Sequence, residues 1–227
     1  MEKLYLGYAG RRLASNDAAP APPPEGEIFI THDGVRLLLR DIHPDDVQAL
    51  QRGFAGLTAQ EVRFRFLHPI TELPEALARR LCDIDRERAV ALVLIDPPDR
   101  SPSAMDRSSS APEAMDGREG PAEAMDGRER PAGTKAPEIH AVARAFVDPV
   151  TQSAEFGLVV QHKFAGHGVG TLLMQRLIAA CRTLGAVELW GDVLLENSAM
   201  LELCDHLGFS RHPAFDDPGV IRVRLPV

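Results

Sequence analysis

The sequence predicts an α/β protein in which one mixed sheet carries helices on both faces. Two observations carry this prediction. Short apolar runs bounded by turn residues alternate with segments whose apolar positions recur every three to four residues. The first two strand-like runs flank Asp33-Gly34, a turn dipeptide that favours an antiparallel hairpin, so the sheet starts antiparallel.

The elements follow in order. Residues 27–42 read as two short strands around that turn. Pro44 opens a helix, and Val47, Leu50, Gln51 and Phe54 continue at helical spacing to Gly56. Thr58 and Glu61 have the spacing of a capping box, in which hydroxyl and carboxylate satisfy each other's backbone amides at a helix start. A third helix is expected over 72–82, with Leu73, Leu77 and Leu81 four apart, and a strand over 89–96. Residues 139–148 and 153–161 read as two strands joined by a turn at 148–152. Val169, Leu172, Leu173, Leu177, Ala180 and Leu184 then mark a long helix that Gly185 stops. A strand over 186–194, a helix over 198–208 and strands near 209–215 and 219–225 complete the chain.

Two stretches, 15–27 and 97–137, are rich in Pro, Ala, Ser, Gly and charge and hold little apolar bulk. They cannot bury enough surface to offset their chain entropy. Residues 97–137 carry a crude repeat (PSAMDR, PEAMDGREG, PAEAMDGRER) with no apolar face to stack, which predicts a disordered insert. The other residues from 28 onward number about 160, enough for one domain with a real core.

Composition excludes several functions. The net charge of −8 argues against nucleic acid and anionic membrane as partners. No apolar run approaches the roughly 18 residues of a membrane span, and MEKLYLGYAGRR lacks the pattern of a secretory signal. Cys82, Cys181 and Cys204 lie far apart without a CxxC, which predicts reduced thiols, a cytoplasmic protein and no metal site.

The chemistry concentrates after the strand at 153–161. Gly166, Gly168 and Gly170 alternate just before the long helix, so the backbone can curl and aim consecutive N–H groups at one spot. At a helix N-terminus such a curl binds an anion, and a diphosphate is its natural guest. Neither a P-loop nor a GxGxxG pattern is present, and the glycines could also simply turn the chain.

AGHGVG (165–170) with the helix TLLMQRLIAACRTLG resembles motif A of the GNAT superfamily of acyl-CoA N-acyltransferases, written Q/R-x-x-G-x-G/A. ENSAMLELCDHLGF (196–209) resembles its motif B. With LRDIHPDD, GLTAQEVRFRF, AEFGLVV and DDPGVIRVRL in the same order, the chain is most similar to the catalytic domain of bacterial protein-lysine acetyltransferases, the Pat group. The resemblance implies a mixed, mostly antiparallel sheet (α+β) in a single domain over 28–227, after a flexible arm over 1–27. It implies acetyl-CoA as cosubstrate, with the CoA pyrophosphate on the amides of Ala165, Gly166, His167, Gly168, Val169, Gly170 and Thr171. Leu158, Val159 and Val160 would pair with pantetheine, and Asn197 would cap its helix and touch the same ligand. The acceptor it implies is a protein lysine, as on an acyl-CoA synthetase, or otherwise a small amine. Ala165 and His167 stand where the family usually has Gln or Arg and a basic residue, so a non-catalytic acyl-CoA sensor is a further alternative.

Amide formation needs a neutral amine, and deprotonating a lysine of pKa ~10.4 at pH 7 costs roughly 4.6 kcal/mol. A positioned base recovers much of this. Glu155, the sole acid of the strand SAEFGLVV, shares a face with Gly157 and Val159, and its neighbours Ala154 and Phe156 are expected to desolvate it. The resemblance assigns the base to the same residue; a solvent-facing edge-strand Glu is the plainer reading. His140 and His162 are alternative bases. Cys204 takes the place of the motif B Tyr that donates a proton to the leaving thiolate in many family members. Trp190 is expected to pack in the sheet.

Overall fold

The computed structural model describes residues 26–97, 137–214 and 217–227. The expected disorder of 98–136 and of the arm over 1–25 lies outside the described residues. The strands are β1 (Glu27–Ile30), β2 (Arg36–Asp41), β3 (Ala89–Ile95), β4 (Ile139–Val147), β5 (Ser153–Val160), β6 (Glu188–Leu194), β7 (Ser210–Pro213) and β8 (Val220–Pro226). The helices are α1 (Val47–Ala55), α2 (Ala59–Phe66), α3 (Glu75–Cys82), α4 (Val169–Thr183) and α5 (Ser198–His206). The strands form one sheet in the order β1-β2-β3-β4-β5-β6-β8-β7. Every neighbouring pair is antiparallel except β5–β6. The mixed, mostly antiparallel sheet with helices on both faces is therefore present.

Two apolar clusters show why. Leu92 and Leu94 of β3, Ala141, Ala143 and Ala145 of β4, and Ala154 and Phe156 of β5 join Val169, Leu173 and Leu177 of α4 and Leu201 and Cys204 of α5. The alternate residues of β3, Ala91, Val93 and Ile95, pack with Ala49, Leu50, Ala78 and Cys82 of α1 and α3. β3 is covered on both sides, so it reads as an unbroken apolar run and not as an alternation. Each of the larger side chains contributes about 1.5–3 kcal/mol on burial.

Two expectations need correction. The third helix starts at Glu75, not residue 72, because Pro74 stands at its N-cap, while Leu73 is buried before it. β1 starts at Glu27, as the strand reading of 27–42 has it, and the Glu27 carboxylate pairs with Arg176 of α4, so residue 27 belongs to the strand and not also to the linker stretch 15–27. Among the described residues no helix is long and apolar enough to cross a membrane.

Candidate active site

β5 and β6 are paired only at Ser153–Glu188, Ala154–Leu189 and Glu155–Trp190. Beyond that point they have no register with each other. β5 stays on β4 to Val160 and β6 stays on β8 to Leu194, so the sheet opens as a V whose apex is Glu155 and Trp190. Among the described residues, the edge of 156–160 facing the opening has no strand partner. An unpaired strand edge accepts an extended ligand through its backbone groups. Leu158, Val159 and Val160 lie on this edge: Leu158 and Val160 pack toward α4, and Val159 packs toward α1 and α3.

The glycine loop lies at the open end. After a short 3-10 turn that buries Phe164, the chain passes Gly166 (φ +78°) and Gly168 (φ +85°) into α4. The three glycines meet different demands. A Cβ at Gly166 would meet nothing within 4 Å, so its glycine serves the left-handed backbone alone. A Cβ at Gly168 would stand 3.1 Å from His32 Nε2. A Cβ at Gly170 would stand 3.2 Å from Leu203 of α5, so this glycine lets α5 approach the first turn of α4.

The backbone N–H groups of Gly166, Gly168, Val169, Gly170 and Thr171 donate no described hydrogen bond, and Gly168 gives α4 no side-chain cap. Together they form an anion cradle at the positive end of a 15-residue helix. Two members of the expected set are otherwise engaged: Ala165 N–H donates to the His162 carbonyl at 3.0 Å, and His167 N–H donates to that of Phe164 at 3.4 Å. His167 instead presents a buried Nδ1 without a hydrogen-bond partner. Asn197 caps α5, its Oδ1 accepting from Met200 N–H at 3.2 Å.

The turn between β1 and β2 brings in a residue that sequence spacing did not single out. His32 lies exposed over Gly168, and Asp33 beside it is held below the usual carboxylate range, first by the Thr31 hydroxyl and in part by the charges of His167 and His32. No spacing signal links residue 32 to residue 168. Only the sheet does.

Glu155 is half-buried in the sheet interior, between β4 and β6, which overturns the edge-strand reading. It does share a face with Gly157, Val159 and Trp190. The environment inferred for it was wrong, however: Ala154 and Phe156 point to the opposite face, into the α4 cluster, as strand alternation requires. The face of Glu155 is instead occupied by α2, whose Arg65 guanidinium lies over Gly157. The Thr58–Glu61 capping box forms, with Thr58 N–H donating to Glu61 Oε2 at 2.6 Å. The other oxygen, Oε1, is buried without a hydrogen bond, 3.7 Å from His162 Nδ1.

The remaining candidates separate from the V. His140 is 3% exposed, with Nε2 2.8 Å from Asp96 Oδ1 and Nδ1 3.3 Å from Gln161 Oε1, so a buried network holds it. Cys204 is fully buried, and burial followed by the Asp205 charge pushes its thiol up to about 12. A thiol so weakly acidic and so enclosed is no donor for a departing thiolate. Trp190 stays in the sheet, with the Arg222 guanidinium 4.5 Å over its ring. Among the described residues no three His, Cys, Asp or Glu side chains gather as a metal site requires.

The sheet opens beyond its one parallel pair, and the amides of Gly166 and of residues 168–171 stand at the mouth, an arrangement that suits an extended anionic ligand. Residues 117–209 match the model of the acetyltransferase (GNAT) family. A stretch of 70 residues, 31% of the chain, is 33% identical to the ribosomal protein bS18-alanine N-acetyltransferase of Salmonella typhimurium; it spans 45% of that enzyme, less than half its length. The solved GNAT domain of the S. lividans PAT superposes with a TM-score of 0.66 at 19% identity, covering 89% of this chain and 97% of that one. The spermidine N-acetyltransferase of Vibrio cholerae, solved with CoA and spermine, gives 0.53 at 15% identity over 84% and 95%. At those identities the solved structures share the fold. Residues 117–209 are thus similar to the GNAT acetyltransferase family, and the fold is that of solved GNAT domains.

Proposed function

We propose that the protein is an acetyl-CoA-dependent N-acetyltransferase that works by direct transfer, with a protein lysine as acceptor. One observation carries the reading: the sheet opens directly beyond Glu155, and the amide cradle stands at the open end of the same strand. Acetyl-CoA is the substrate these features suit. Its diphosphate matches the donors of residues 166–171, and its pantetheine arm, with two amides, matches the bare edge of 156–160.

The residues then take the following roles. Backbone groups of β5 hold the thioester near the apex. The acceptor amine enters from the α2 face, its nitrogen forms the new bond to the carbonyl carbon, and the carbon–sulfur bond breaks to release CoA thiolate. Glu155 accepts the proton that the amine loses, directly or through one water, and solvent protonates the thiolate. No covalent bond to the protein is needed. Acceptor choice rests on the acidic character of the chain, with its net charge of −8, which suits a basic partner. Cytoplasmic residence rests on three cysteines that are buried and unpaired.

A second reading, acetylation of a small amine, is favoured by the likeness to the spermidine enzyme. A third, an acyl-CoA sensor without catalysis, is favoured by Ala165 in motif A. The test measures CoA release from acetyl-CoA with lysine peptides, polyamines and amino acids. Turnover with peptides, abolished in Glu155→Gln, is the expected result. Faster turnover with a small amine selects the second reading, and acetyl-CoA binding without turnover selects the third.

A further inference from the structure

On the face of the sheet that carries Glu155, the helices α1 to α3 leave a cavity over β4 and β5. Its floor includes the ladder pair Val142–Val159, and its walls include Leu50, Phe54, Leu57 and Leu73. About 60 Å³ of it is open to the centre of a water molecule. Folded interiors pack to the density of organic crystals, and voids larger than one water are few in a domain. One that persists beside the apex of the V has the usual form of a ligand site.

The walls say what kind of ligand. Four polar side chains reach the cavity: Arg65, His140, Arg144 and Gln161. Each is bound to protein groups. His140 bridges Asp96 and Gln161, and Gln161 Nε2 donates to the Gly53 and Ile139 carbonyls, both at 3.3 Å. Arg144 Nη2 donates to the Leu81 carbonyl at 3.1 Å. The Arg65 guanidinium lies on Gly157, 5.2 Å from the centre of the Phe66 ring. The surface left to the open space is mainly carbon, and such a space takes an apolar guest in preference to water.

Position narrows the guest. Val159 lies both on the bare edge of 156–160 and in the cavity floor. Arg144 pairs across the ladder with Gly157, two residues from Glu155. A thioester held on that edge, with its carbonyl carbon near Glu155, has the cavity beside it. The pantetheine arm bears amides and follows the strand edge to the cradle, and the acceptor nitrogen has to arrive from solvent. The acyl tail is the apolar part of the reacting pair.

We propose that this cavity is an acyl pocket, which receives the aliphatic tail of an acyl group longer than acetyl. The proposal rests on the transferase reading and refines its donor. Roughly 10–15 Å³ of space open to a water centre holds one water-sized group, so the pocket takes about four carbons beyond the carbonyl, where acetyl supplies one methyl.

The experiment compares acetyl-, propionyl-, butyryl- and octanoyl-CoA on the full chain at one acceptor, with initial rates for kcat/KM and calorimetry for affinity. From acetyl to butyryl, kcat/KM is expected to rise by about fourfold for each added methylene, the gain from burying one. It is expected to fall again with octanoyl, whose tail exceeds the space. Leu57→Phe fills part of the cavity from a half-buried wall position and is expected to return butyryl-CoA to the level of acetyl-CoA, with the acetyl-CoA rate kept. Leu50→Phe is expected to do the same from α1, and melting curves show whether each variant folds. A series that stays level or falls from acetyl to butyryl in the unaltered protein, or that keeps rising to octanoyl, overturns the proposal, whatever the variants do. If the donors bind but nothing is transferred to any acceptor, the transferase reading fails instead. The calorimetric series then decides the pocket: affinity rising to butyryl supports it, and equal affinities overturn it.

Discussion

The two faces of the sheet at the V are built by opposite means. On the α4 face the candidate ligand groups are the main-chain amides of Gly166 and of residues 168–171, set beside a dense apolar cluster. On the α2 face stand charged side chains gathered from distant elements: Glu155 from β5, Arg144 from β4, Arg65 and Glu61 from α2. Main-chain donors recognise a shape that is the same in every reaction of a given carrier. Side-chain charges can be exchanged one at a time, which fits the acceptor role proposed for the α2 face. Damage to the first face is therefore expected to cost stability and carrier affinity, and damage to the second to cost turnover.

The largest effect tests that division directly. Glu155→Gln keeps size and hydrogen bonding but cannot take a proton. Its turnover is expected to fall by about 10²–10⁴-fold, with acetyl-CoA affinity by calorimetry changed by less than about threefold. A matching loss of affinity would join the two faces into one functional unit. Next, Leu173→Ala removes a fully buried side chain of α4 and is expected to cost about 2–5 kcal/mol in chemical denaturation. The surviving folded fraction should turn over at nearly the original rate.

The same contrast explains what could be read in the sequence. Among the described residues every helix and strand was legible, because each buried face imposes its own period, and the alternating glycines were legible because they fall within five consecutive residues, 166–170. Glu155 stood out as a candidate because it is the only acid in an apolar strand. Its surroundings did not. Ala154 and Phe156 are neighbours in sequence but lie across the sheet from it, while Arg65, 90 residues earlier, lies on its own face. His32 and Gly168 show the same thing at the cradle: contacts between elements are set by strand order, and one chain carries no local signal for that order.

A smaller effect is expected at that contact. Gly168→Ala forces a Cβ into a left-handed backbone and toward His32, costing roughly 1–2 kcal/mol. Part should appear as a lower Tm and the rest as weaker acetyl-CoA binding, about tenfold at most, with kcat at saturation retained. His32→Ala in the same background separates the two causes. Affinity recovered by relieving the contact assigns the loss to crowding; affinity unrecovered assigns it to the backbone.

The smallest expected effect concerns Asn197, which belongs to both readings of its position. Its Oδ1 already accepts from Met200 N–H, and that bond alone makes Asn197→Ala cost about 1 kcal/mol of stability. Asn197→Asp keeps the acceptor and adds a negative charge at a helix start, where the dipole favours it. If the cap is the whole role, Asn197→Asp should match the original protein in both Tm and acetyl-CoA affinity. If the free amide also touches the carrier, Asn197→Asp should keep its Tm and lose affinity, because the amide's donors are gone and a carboxylate faces an anionic ligand. The α5 start then belongs with the cradle, and the carrier is held by two helix starts on one face of the sheet.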